Sequence, residues 1–99
     1  MANWIRQPQE TTGDYWFSGQ GYLTRGVDTE IPKVEIIQIL DDLRRFVQQE
    51  QGIDYLQVYV NESTGRKVWV IDQLTRLQIR SGEFSPGDNH FTILFPEEY

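Results

Sequence analysis

The chain contains no cysteine and only one histidine. Disulfides and thiolate metal ligands are therefore excluded, as is any metal site built on two imidazoles. No apolar run approaches the roughly 20 residues needed to cross a membrane. The start, MANWIRQPQETTGDYW, also lacks the apolar stretch and cleavage site of a secretory leader. Cations are scarce, with nine Lys and Arg against fifteen Asp and Glu and a formal charge of −6. That balance disfavours phosphate backbones and anionic lipid as partners. These absences lead to the expectation of a cytoplasmic protein without a cofactor, a metal or a membrane partner.

Core material, by contrast, is plentiful. Thirteen aromatic residues in 99 suffice for one modest domain, though two separate cores would be hard to build. There is no repeat, low-complexity tract or dividing linker. Residues 1–14 are polar, contain Pro8 and Gly13, and are expected to form an N-terminal arm pinned by Trp4 and Ile5. Residues 15–99 are expected to form the single α+β domain.

Hydrophobic periodicity assigns the elements within that domain. Tyr15 to Thr24 is aromatic-rich and predicts a first strand, interrupted by Gly19 and Gly21. From Pro32 to Gln51 the residues Ile36, Ile39, Leu40, Leu43, Phe46 and Val47 recur at spacings of three and four. This is the apolar stripe of an amphipathic helix. Pro32 suits its first position, and Gly52 its stop. Beyond Gly52 the period becomes two, with Leu56, Val58 and Val60 alternating against Tyr55, Gln57 and Tyr59. A turn at Asn61–Gly65 leads into a strand from Lys67 to Ile71. Alternation of Leu77 and Ile79 predicts another strand over Leu74–Ile79, and His90–Phe95 predicts the last. The expected fold is thus one amphipathic helix on a mostly antiparallel sheet of about five strands, in the order β-α-β-β-β-β.

The most distinctive local segment is YLTRGVDTEIP at Tyr22–Pro32, directly before the helix. With Thr24-Arg25-Gly26-Val27, Glu30-Ile31-Pro32, Asp54-Tyr55-Leu56-Gln57-Val58 and Glu97-Glu98-Tyr99, the chain from Gly21 to Tyr99 resembles a small family. That family comes from Firmicutes and their mobile elements and is catalogued as staphylococcal protein of unknown function. The resemblance implies a single domain and supplies no catalytic or ligand residue. Read from its residues alone, Arg25-Gly26 suggests a tight turn with positive φ at Gly26.

No motif announces a reaction. Asp28, Glu30, Asp41 and Asp42 lack the spacing of a calcium loop. Gly19 and Gly21 followed by Gly26 only faintly echo a phosphate-binding loop, with no Walker lysine and serine. His90, near Asp88, is the sole candidate base, and no nucleophile motif accompanies it. The strongest surface signal is a face of Tyr55, Gln57 and Tyr59, extended by Arg76 and flanked by Arg25. Trp69 either completes the core or joins that face as an anchor. Tyrosine and arginine serve well at protein interfaces, so the expected role is a non-enzymatic accessory or regulatory protein that binds an unidentified protein, with self-association as a further option. Two alternatives stand beside it: a mobile-element modulator of nucleic-acid machinery, including acidic mimicry, and a small enzyme using His90. Direct nucleic-acid binding is disfavoured by the excess of acids, despite an aromatic face of the kind that stacks single-stranded bases.

Overall fold

The computed structural model describes residues 2–99. In chain order they form β1 (Trp4–Arg6), β2 (Gln20–Leu23), α1 (Arg25–Glu30), α2 (Lys33–Glu50), β3 (Leu56–Asn61), β4 (Lys67–Asp72), α3 (Arg76–Ser81) and β5 (His90–Leu94). The five strands make one sheet in the order β1-β3-β4-β5-β2. β1, β3, β4 and β5 pair antiparallel in succession, and β2 pairs parallel to β5.

The α+β class is correct, but the expected arrangement is not. The described residues form three α-helices instead of one, and the elements follow a different order, with strands arranged β1-β3-β4-β5-β2; the five-stranded sheet is mostly antiparallel, with β2–β5 as its parallel pairing. The strand expected over Leu74–Ile79 is replaced by α3. Thr75 caps that helix by accepting from Gln78 N–H, while the Gln78 side chain accepts from Thr75 N–H. This reciprocal capping box satisfies two orphan helix donors, and Gly82 closes the helix in the left-handed conformation at φ 76°. The sheet's first strand comes from the segment expected as an arm: Trp4, Ile5 and Arg6 pair with Asn61, Val60 and Tyr59.

The TRG segment also differs from its expected turn. Thr24 caps α1 by accepting from Val27 N–H, and Gly26 lies inside the helix without a positive φ. Its lack of a side chain serves a close approach. The Glu98 carboxylate accepts from Thr24 Oγ1 at 2.7 Å, from Gly26 N–H at 3.2 Å and from Phe95 N–H at 2.9 Å. A Cβ on Gly26 would stand 2.7 Å from that carboxylate. Hydrogen bonding from Thr24 and the two backbone donors holds Glu98 below its ordinary pKa. Two distant fingerprints of the sequence therefore meet in one helix start.

α2 follows the apolar stripe. Ile36, Ile39, Leu43 and Val47 are buried, with Leu40 and Phe46 packed partly against them. Each fully buried aliphatic side chain contributes at most about 1.5–3 kcal/mol. Pro32 is the N-cap instead of the first helical residue, and Ile31 ends α1 and joins the core. At the other end Gln51, immediately before the expected Gly52 stop, takes the left-handed cap conformation at φ 56°. The sheet residues beneath α2 are Tyr59, Val68, Val70, Phe91 and Ile93.

Candidate functional site

Side chains of directly paired residues lie on the same side of a sheet, and successive residues alternate. The register therefore divides this sheet into two sets of rows. Arg6–Tyr59–Val68, Gln57–Val70–Ile93–Leu23 and Asp72–Phe91–Gly21 form the side covered by α2. Ile5–Val60–Lys67, Val58–Trp69–Leu94 and Leu56–Ile71–Thr92–Tyr22 form the other. The first side accounts for most of the buried core. On the second side Leu94 is buried, while Leu56, Val58, Val60, Trp69 and Ile71 remain only partly so.

This second side is largely apolar across β1, β3 and β4, with Lys67 charged, and ends across β5 and β2 in Thr92 and the polar Gln20–His90 pair. Aromatic rings surround it. Tyr99, 81% exposed, meets Trp69 edge-on with ring centroids 5.6 Å apart. Tyr55 tilts against Tyr15 at 6.1 Å, and Tyr22 meets the His90 ring at 5.4 Å. Between Tyr15, Tyr55 and Tyr99 lies a concavity of about 530 Å³, floored by Ile71 and Leu94 and bordered by the Asp72 and Glu98 carboxylates. Contiguous exposed apolar surface of this kind marks interaction sites.

The structure brings together only part of the candidate set. Trp69 belongs to the uncovered face, and Tyr55 stands at its rim. Tyr59 and Gln57 do not: they are 0% and 1% exposed and point beneath α2. The Tyr59 hydroxyl donates to Asp42 Oδ2 at 2.7 Å, and the same oxygen accepts from Arg6 Nε at 2.9 Å. Burial first, then the adjacent Asp42 carboxylate, holds the Tyr59 phenol above its usual range. The Gln57 amide donates to Gln9 and to the Asp54 carbonyl. The Tyr59 hydroxyl and Gln57 Nε2 thus keep partners while facing the core, whereas Gln57 Oε1 is buried without one among the described residues. Arg76 is half-buried in α3 and stacks on Trp16, 4.3 Å from its ring centre. Arg25 is exposed at the first position of α1 and does not line the concavity.

Ile5, Tyr22, Val58, Val60 and Tyr99 were missing from the candidate set. A signal for two of them, Val58 and Val60, was present, because β3 and β4 carry apolar residues in both phases of their alternation. A sheet apolar on both sides, with one long helix to cover it, leaves an apolar side open.

Elsewhere two clusters of polar groups are paired among themselves. A cleft of about 580 Å³ contains Trp4, Glu35, Arg66 and Phe95. There the Trp4 indole donates to Glu35 at 2.8 Å. Arg66 lies between Glu97 at 2.7 Å and Glu30 at 3.4 Å, over the Phe95 ring. His90 Nδ1 lies 3.3 Å from the Gly87 carbonyl, and no hydroxyl or carboxylate among the described residues hydrogen-bonds its ring. Asp72, buried beside Phe17, is pushed above its ordinary pKa by burial although Phe17 N–H and Gln73 N–H donate to it. Among the described residues no cluster of three or more His, Asp or Glu side chains is placed to hold a metal ion. No helix among them is long and apolar enough to cross a membrane. Compared with protein-family models, curated proteins and solved structures, the chain matches none.

Proposed function

We propose that this chain is a non-enzymatic accessory or regulatory protein that binds another protein through the uncovered face of its sheet. The observation that carries the reading is the side-to-side division of the sheet, with α2 over one apolar side while Leu56, Val58, Val60, Trp69 and Ile71 on the other stay only partly buried. Aromatic residues at the rim supply large contact area at little entropic cost, while Trp69 supplies a central anchor. The strands of this face carry Lys67 and its concavity is bordered by Asp72 and Glu98, so its partner is expected to present an apolar surface with polar groups at its margin instead of a phosphate backbone. Acids interspersed with Arg6 and Arg66, as in the pairs with Asp42, Glu30 and Glu97, favour this reading over duplex-like acidic mimicry.

Origin in the Firmicute and mobile-element family, which rests on the sequence resemblance, and action in the cytoplasm, which rests on the composition, belong to this proposal. Thr24, Gly26 and Glu98, which carry part of that resemblance, meet at the start of α1. What they contribute is architecture.

Ile5→Asp and Tyr99→Ser test the face without opening the core, since both side chains are substantially exposed at 48% and 81%. Affinity capture from the native host is expected to recover one stoichiometric partner with wild type and to lose it with both variants. Ile37→Asp, on the outer side of α2 and 57% exposed, is expected to retain it. Equal recovery by all three variants contradicts the assignment.

A further inference from the structure

β2 is an edge strand, and all four of its residues are exposed. Gln20 N–H donates to the Asn89 carbonyl and Thr24 N–H to the Ile93 carbonyl, so the even-numbered residues address β5. Alternation then turns the backbone groups of Gly21 and Leu23 outward, where no further strand lies. An open edge of this kind is a template for another strand.

A groove of about 450 Å³ lies beside that edge on the helix-covered side. Phe17, Leu40, Val47 and Phe91 line it, with Arg44 and Gln48 from α2 and Ser18 from the preceding loop among its polar members. Gly21 keeps it open, because a Cβ there would stand 2.7 Å from the Phe91 ring. Phe17 sits at φ 51°, a conformation unusual for a bulky residue. Its N–H donates to the buried Asp72 carboxylate at 2.9 Å, which fixes the loop beside the groove. Arg44 is exposed and in no ion pair among the described residues.

We infer that β2 and this groove receive an extended segment of another protein, added as a further strand. Its backbone pairs with Gly21 and Leu23, an apolar side chain covers Phe91, and a carboxylate two residues away meets Arg44. Residues two apart share a face of a strand, which sets that spacing. The arrangement of an edge strand beside a helix is a general mode of peptide capture: main-chain bonds give affinity and pockets for alternate side chains give selectivity. A second copy of the chain is the poorer occupant. The edge is four residues long, roughly 13 Å, and pairing along it alone falls far short of about 800 Å² per partner in a stable dimer. The groove lies on the opposite side of the sheet from the uncovered face and does not depend on it; the two share β2, whose Tyr22 side chain belongs to that face.

The test is an NMR titration of the ¹⁵N-labelled full chain with the peptide acetyl-Thr-Val-Thr-Glu-Thr-Val-amide. Shifts are expected at the Gly21 and Leu23 amides, with slowed hydrogen exchange at both. Replacing the peptide's glutamate by lysine is expected to weaken binding, although the net charge of −6 alone would favour lysine. Arg44→Glu is expected to weaken the glutamate peptide by roughly fivefold to tenfold, the scale of exchanging an attractive for a repulsive contact. N-methylation of alternate peptide amides is expected to abolish binding. Shifts confined to Ile5, Trp69 and Tyr99, absence of shifts at millimolar peptide, or indifference to Arg44→Glu overturns the inference. Concentration-dependent shifts at Gly21 and Leu23 without peptide also overturn it, by assigning the edge to a second copy.

Discussion

Tyr59→Phe removes one oxygen from the side of the sheet that the sequence pattern alone places in solvent. Tyr59 is 0% exposed, and its hydroxyl donates to Asp42 at 2.7 Å. Hydrogen bonds to charged groups contribute about 1.5–3 kcal/mol net. The Asp42 side chain is 43% exposed and keeps Arg6 as a donor, so little of it is left unsatisfied. The loss therefore falls at the low end, about 1.5 kcal/mol. For a domain of this size that corresponds to a fall in Tm of about 6–12 °C. Urea unfolding of wild type and variant measures it, with an unchanged slope showing that the unfolded state is not involved. A companion cycle with Asp42→Ala isolates the pairwise coupling. In a spectrophotometric titration, Tyr59 ionises above the ordinary tyrosine value of 10.0 while the chain stays folded. A stability change below about 0.5 kcal/mol, as for an exposed tyrosine, refutes the assignment of the two sheet faces.

Two carboxylates shift in opposite directions and give opposite pH signatures. Glu98 has a lowered folded pKa, so its contribution is present above the ordinary value of 4.5 and is lost as pH falls through the folded value. Glu98→Gln is accordingly expected to be less stable than wild type above about pH 5, with the difference closing in acid. Asp72 has a raised folded pKa, so its contribution is present below the ordinary value of 3.8 and is lost as pH rises through the folded value. A carboxyl-carbon NMR titration is expected to place Asp72 above 3.8 and Glu98 below 4.5; either order reversed contradicts the geometry. Gly26→Ala is expected to destabilise wild type by displacing Glu98, yet to stabilise a Glu98→Ala background by about 0.5–1 kcal/mol through helix propensity. Denaturant unfolding of the four chains measures that change of sign.

The elements readable from the sequence are those with long, unambiguous periods. α2 shows its stripe from Ile36 to Val47, and the turn at Asn61–Gly65 marks the β3–β4 hairpin. Short elements were harder, because six residues cannot distinguish a period of two from 3.6. Leu77 and Ile79 read as a strand, whereas the Thr75-Arg76-Leu77-Gln78 capping box was the better signal. α1 depends on Glu98, a partner 74 positions from Thr24, which no local pattern reveals. β1 likewise gains its place from pairing with β3 and from the Trp4–Glu35 and Arg6–Asp42 contacts.

The phase of β3 was misread from the sequence. Tyr55, Gln57 and Tyr59 look like the solvent side because their tips are polar. The tips of Gln57 and Tyr59 instead find Gln9, Asp54 and Asp42, contacts made only in the folded chain. The apolar set Leu56, Val58 and Val60 then faces outward with Trp69. A strand apolar in both phases cannot declare which phase the helix covers.

Site-specific photo-crosslinking most directly tests whether that outward face binds a protein. A benzoylphenylalanine placed at Tyr99 or Tyr22 reports the uncovered face, and one at Ile37 reports the outer side of α2. In the native host, the first two positions are predicted to capture the same protein in one specific adduct, and Ile37 none. Identical adducts from all three positions, or none from Tyr99 and Tyr22, would contradict the account.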